Sequence, residues 1–156
     1  MESIKRANVE GKKVIVRVDF NVPIKDGKIT DDTRIVSSLK TIKYLVSHNA
    51  KVILLSHLGR IASQEDKEKK SLEIVAKHLS TLINVPIYFV PITRGDLLTK
   101  TVESMGEGEI VLVENTRFED YPRMLESSCD ESLSKYWASL GDIFVFDAFG
   151  TAHRCH

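Results

Sequence analysis

Short apolar runs alternate with longer amphipathic stretches along the whole chain. The runs at 14–18, 52–55, 87–90, 110–113 and 143–146 are rich in β-branched residues and apolar at successive positions. Such runs suit strands buried on both faces of a parallel sheet, because a half-solvated strand would alternate apolar with polar. Between the first two, Ile35, Leu39, Ile42 and Leu45/Val46 recur at helical spacing, and Asp31, Asp32 and Thr33 precede them as N-cap candidates. A second stripe, Leu72, Val75/Ala76, Leu79 and Leu82/Ile83, follows Ser71, with Glu73 in the first turn where the helix dipole favours a carboxylate. Segments 96–105 and 131–140 carry a shorter helical periodicity. The tracts 64–70 (QEDKEKK) and 120–130 read as solvated surface insertions. Strand and helix in alternation predict right-handed crossovers and a Rossmann-like, three-layer α/β/α domain with a mainly parallel sheet.

Composition bounds the picture without sharpening it. A chain of 156 residues, 42% hydrophobic and 28% charged, suits one globular domain spanning 1–156. Lys+Arg and Asp+Glu both number 22, so no net field draws the protein to nucleic acid or anionic lipid. The first residues lack an apolar signal region and the longest apolar runs are too short to span a bilayer, so a cytoplasmic protein is expected. Cys129 and Cys155 fit neither a disulfide framework nor paired zinc knuckles and read as stray thiols of a reducing compartment.

Open α/β sheets bind ligands beyond the carboxyl ends of their strands, so the polar residues that follow each strand carry the functional signal. After the first come Arg17, Asp19 and Asn21, which period-two alternation turns to one side while Val18, Phe20 and Val22 face inward. Arg34 follows in the first turn of the first helix, where a second cation is locally unfavourable and an anion nearby is implied. The second strand leads into Ser56-His57-Leu58-Gly59-Arg60, the fourth into Glu114-Asn115-Thr116-Arg117-Phe118, and the fifth into Asp147 and then Gly150-Thr151-Ala152-His153-Arg154. Six of eight arginines (Arg17, Arg34, Arg60, Arg94, Arg117 and Arg154) stand at or just past strand ends, whereas most lysines do not. The rigid guanidinium fork matches carboxylate and phosphate oxygens, so the expected ligand is a small anion bearing both.

The sequences RVDFNVP at 17–23, DDTRI at 31–35, SHLGR at 56–60, ENTRF at 114–118, YWASLGD at 136–142 and DAFGTAHR at 147–154 resemble the successive signatures of phosphoglycerate kinase, in that family's order. The resemblance implies a phosphotransferase moving a phosphoryl group between 1,3-bisphosphoglycerate and ADP, with 3-phosphoglycerate held by an N-terminal domain. Magnesium-ADP or magnesium-ATP would sit on a C-terminal domain that this chain lacks, the two halves meeting by hinge closure in a usually monomeric enzyme. By motif position, the substrate contacts are Asp19, Asn21, Arg34, His57, Arg60, Arg117 and Arg154, with Arg17 in the surrounding basic patch. Arg34 is expected to act catalytically on the transferring phosphoryl group. The family is well over twice as long, so residues 1–156 are expected to be its substrate-binding half, incomplete at the C-terminal end. The chain alone is then expected to bind substrate without turning it over. Two departures are local: Phe146 stands where the family has Asn, and Cys155 where Ala is common.

Other candidates carry less. Arg94 lies outside these signatures and reads as a surface residue. His48 and His78 fall on predicted helices and read as solvated or capping side chains. His153, Cys155 and His156 make too few ligands at chain-terminal spacing for a zinc site. Neither GxxxxGK[ST] nor GxGxxG occurs, so no nucleotide cofactor is expected on this chain and a nicotinamide-binding domain is disfavoured. A simple anion-binding or interaction module is the competing reading.

Overall fold

The protein is described by a computed structural model covering residues 8–147. Its elements, in chain order, are β1 (Lys13–Val18), a hairpin of β2 (Ile24–Lys25) and β3 (Lys28–Ile29), α1 (Thr33–Ser47), β4 (Lys51–Leu55), α2 (Gln64–Lys69), α3 (Glu73–Leu82), β5 (Ile87–Val90), α4 (Asp96–Glu103), β6 (Ile110–Val113), a short 3-10 helix (Thr116–Asp120), α5 (Glu131–Ala138) and β7 (Ile143–Asp147). The five expected strands and four expected helices all form.

β5, β6, β4, β1 and β7 lie side by side in that order, with every pair parallel. Alternate residues of the strands feed two cores. Val14, Val16, Val18, Val52, Leu54, Ile110 and Leu112 pack with Ile35, Ile42 and Leu45 of α1 and with Val75 and Leu79 of α3. The residues between them, Ile15, Ile53, Leu55, Val111 and Val113, pack with Leu98 and Val102 of α4 and with Leu133 and Trp137 of α5. Helices therefore cover both faces, and the expected three-layer α/β/α arrangement is present. Burial on both sides is what uninterrupted apolar strands require, each fully buried aliphatic side chain contributing roughly 1.5–3 kcal/mol.

Register decides where the strands end. Arg17 pairs with Leu55 and with Phe146, and Leu54 with Leu112, so the C-terminal ends of β1, β4, β6 and β7 finish on one rim. β4 leads outward to β5 at the sheet edge, whereas β6 leads back across the sheet to β7. The connection after β4 runs through α3 on one face of the sheet and that after β6 through α5 on the other, which makes the β4/β6 boundary a topological switch point, the place where open α/β sheets form a crevice.

Two expectations are corrected. Residues 64–70 are not an unstructured insertion: they form α2, capped by Ser63, whose side chain accepts from the Asp66 N–H, although no residue of the helix is buried. Residues 120–130 are not uniformly solvated, since Asp120 and Glu126 are buried and Ser127 N–H and Oγ both donate to the Asp120 carboxylate.

Candidate functional site at the C-terminal rim of the sheet

β1 delivers the first three side chains by strand alternation. Val18, Phe20 and Val22 are buried at 1%, 0% and 4% exposure, which leaves Arg17, Asp19 and Asn21 facing the rim. The Asp19 carboxylate accepts from the Asn21 N–H at 3.0 Å and from Arg34 Nη1 at 3.3 Å. Arg34 Nη1 also donates to the Asn21 carbonyl at 2.8 Å. Arg34 is thus brought from the start of α1 onto the end of β1, with its side chain still 53% exposed. The first turn of α1 holds no acidic residue. The positive end of the helix and the guanidinium therefore act together on whatever anion approaches.

The loops after β4 and β6 are fastened to each other and to β1. Asn115 is fully buried; its Oδ1 accepts from the Leu58 N–H at 3.0 Å and from the Arg117 N–H at 3.0 Å, and its Nδ2 donates to the carbonyls of Leu58 at 2.7 Å and Lys70 at 2.9 Å. Ser56 accepts from the Phe20 N–H through Oγ and from the Thr116 N–H through its carbonyl. Gly59 N–H donates to Asn21 Oδ1 at 2.8 Å, and Gly59 O accepts from Arg117 Nη1 at 3.3 Å. A left-handed φ of +65° lets Gly59 present both backbone groups in this way. The Glu114 carboxylate accepts from Ser71 Oγ and from the Leu72 and Asn115 N–H groups, tying the end of β6 to the start of α3.

Charge is densest around His57. His57 is buried, at 6% exposure. Burial, reinforced by the Arg117 and Arg17 guanidinium groups, lowers its pKa to about 4 against the opposing pull of Glu126 and Asp19. His57 is therefore a neutral imidazole at neutral pH, and the fixed positive charge of the rim belongs to the arginines. Arg17 Nη2 bonds to Glu126 Oε2 at 3.1 Å, and the same oxygen accepts from Thr116 Oγ1 at 2.7 Å. Burial pushes the Glu126 carboxyl up, but Arg17, the Thr116 hydroxyl and Arg117 outweigh it and hold the pKa below the usual carboxylate range. Among the described residues, Arg117 Nε is buried without a hydrogen-bond partner.

Of the residues singled out in the sequence, Arg17, Asp19, Asn21, Arg34, His57 and Arg117 thus share one region of the rim, and Arg60, exposed, adjoins Gly59 there. Arg154 lies outside the described residues, as do His153, Cys155 and His156. Arg94 instead pairs with Glu119 at 3.2 Å. His48 caps the C-terminus of α1 and stacks on Tyr44, while His78 bonds to the Asp32 carboxylate at 2.8 Å. Among the described residues no three His, Cys, Asp or Glu side chains gather to hold a metal ion, and no helix is long and apolar enough to cross a membrane. Sequence reasoning missed Glu126, Asn115 and Ser56 as the residues that hold the rim together. Asn115 and Ser56 sat inside quoted signatures, but Glu126 had no local signal. Behind Arg17 and Glu126 opens a cavity of about 610 Å³ whose other walls include Leu55, Trp137, Phe144 and Phe146.

A family model described as "Phosphoglycerate kinase" matches residues 4–156. The chain is 57% identical over 153 residues to a phosphoglycerate kinase of Lactiplantibacillus plantarum, and 58% identical over 149 residues to one of Listeria innocua. Each alignment covers 96% of this chain and 38% of the relative, so the chain spans well under half the length of these proteins. Among solved structures, the phosphoglycerate kinase of Pyrococcus horikoshii superposes with a TM-score of 0.83 at 32% identity, covering 98% of this chain and 38% of that one. That of Coxiella burnetii gives a TM-score of 0.80 at 38% identity, with 97% and 36% covered.

Proposed function

The chain belongs to the phosphoglycerate kinase family, and from that membership we propose that it forms the substrate-binding, N-terminal half of such an enzyme. It would bind 3-phosphoglycerate or 1,3-bisphosphoglycerate for phosphoryl exchange with ADP or ATP in the cytoplasm. The observation that carries this reading is the meeting of guanidinium groups from β1, α1 and the loops after β4 and β6 on one rim of a parallel sheet, at a switch point.

The chemistry asks little covalent work of these residues. The acceptor carboxylate is ionised at neutral pH, so no general base is needed. Arg34, half exposed and already aimed across the end of β1, is suited to neutralise charge on the equatorial oxygens of the phosphoryl group in transit. Asp19 and Asn21 are suited to the substrate hydroxyl and carboxylate, and His57, Arg60, Arg117 and Arg154 to the phosphate that does not react. A neutral His57 can donate one ring N–H to a phosphate oxygen without adding to the repulsion among the arginines.

The magnesium-nucleotide does not fit the residues here. No phosphate-cradling glycine loop follows any strand, and the described residues offer no acidic cluster for a divalent ion. We assign nucleotide and magnesium to a C-terminal domain, the partner with which this half would close. Calorimetric titration of the 156-residue chain with 3-phosphoglycerate tests the reading: binding is expected, weakened at least tenfold by Arg34→Ala, with turnover appearing only when a C-terminal half is added. Absence of binding by the wild-type chain would overturn it.

A further inference from the structure

We propose that Glu126, which lies in none of the sequence signatures, is a positioning residue of the anion site and sets the arrangement of its guanidinium groups. The inference rests on the substrate reading above. One carboxylate oxygen of Glu126 receives both Arg17 Nη2, from the end of β1, and Thr116 Oγ1, beside Arg117 in the loop after β6. The Thr116 N–H in turn donates to the carbonyl of Ser56, the neighbour of His57. Glu126 therefore ties together three strand ends that supply the candidate ligands.

Its charge matters as much as its reach. The side chains of Arg17 and Glu126 are 15% and 5% exposed, so neither charge is well hydrated and each depends on the other. Like-charged guanidinium groups crowded on one rim repel, and a buried carboxylate among them is the element that lets them stay in place before an anion arrives. The pair also stands between the rim and the largely apolar cavity behind it. A carboxylate at the edge of an anion site would by itself repel the ligand, so its placement calls for a positioning role.

Calorimetric titration with 3-phosphoglycerate at fixed ionic strength, alongside urea unfolding, tests this. Glu126→Gln keeps the shape and removes the charge, and about a tenfold loss of affinity is expected. The doubly apolar variant Arg17→Met with Glu126→Leu should unfold at or above the wild-type midpoint, since apolar pairs replace buried ion pairs without loss, yet bind at least tenfold more weakly. A pair that served stability alone would leave that variant's affinity intact, which would overturn the proposal. So would an affinity in Glu126→Gln unchanged within twofold or increased. Should Glu126→Gln not fold, Thr116→Val, which removes one donor to the carboxylate, must still weaken binding, and an unchanged affinity there overturns the proposal. A wild-type chain that fails to bind sinks the substrate reading itself; a wild type that binds beside an unaffected Glu126→Gln sinks only this inference.

Discussion

Asn115 clasps Leu58 in both directions: its Oδ1 accepts from the Leu58 N–H at 3.0 Å while its Nδ2 donates to the Leu58 carbonyl at 2.7 Å. The side chain behaves as a short piece of strand, continuing the pairing of β4 and β6 past the point where both backbones turn away. Asn115→Ala would strand the N–H and carbonyl of Leu58 at a buried site and take a partner from the Arg117 N–H and the Lys70 carbonyl. Each buried orphan costs about 1–3 kcal/mol, so a loss of several kcal/mol is expected in urea unfolding, with weakened 3-phosphoglycerate binding in whatever fraction folds. Asn115→Asp should be nearly as damaging, because its carboxylate cannot donate to the two carbonyls.

Gly59 offers a milder test of the same rim. An added Cβ would meet Lys70 Cδ at 2.9 Å, a flexible side chain able to move, but the φ of +65° remains unfavourable for any L-residue. Gly59→Ala should therefore lose about 1–2 kcal/mol from backbone conformation. Pairing it with Lys70→Ala should recover only the steric part. If Gly59→Ala proved as stable as wild type, the left-handed turn that aims its N–H at Asn21 would not be the strained element described.

Much of this rim was legible because it follows from strand period and strand ends. Alternation alone separated Arg17, Asp19 and Asn21 from Val18, Phe20 and Val22, and apolar runs marked all five strands, although the expected burial on both faces fails at the edges, where Tyr88 of β5 and Phe144 of β7 are 45% and 47% exposed. The β2–β3 hairpin was missed although Asp26 and Gly27, at φ of 52° and 72°, are a familiar hairpin-turn pair, because two-residue strands carry no readable alternation. Helix α2 was missed because none of its residues is buried, leaving no apolar stripe to show the period. Glu126 was invisible for a different reason. Its partner Arg17 lies 109 positions away, and a carboxylate between Leu125 and Ser127 reads as surface until the fold brings the guanidinium to it.

Glu114 should show how much chemical change the rim tolerates. Its carboxylate faces three donors, Ser71 Oγ and the N–H groups of Leu72 and Asn115, at 4% exposure. Glu114→Gln can keep its oxygen on the two N–H groups and turn its NH2 to the Ser71 hydroxyl, which accepts as well as donates, so it removes only the charge from these bonds. We expect a loss of about 1 kcal/mol in urea unfolding, and a loss of several kcal/mol for Glu114→Ala, which leaves all three donors without this partner. Equal losses in the two variants would contradict this geometry.

His57 gives the fold a pH dependence whose sign is fixed by its environment. Burial first, then the Arg117 charge, lowers its folded pKa to about 4 from an ordinary value of 6.5. Between these values the unfolded chain binds a proton that the folded chain refuses, so stability is complete above about pH 6.5 and declines as pH falls toward 4. The part of the loss that His57 causes should reach about 2 kcal/mol between pH 7.5 and pH 5. Other groups titrate in that range too, so the measurement is a comparison: urea unfolding of wild type and His57→Gln at both pH values, in which the variant should lose about 2 kcal/mol less. Equal losses would mean that the ring takes up its proton as readily folded as unfolded, and a buried, neutral imidazole facing the arginines would no longer describe this site.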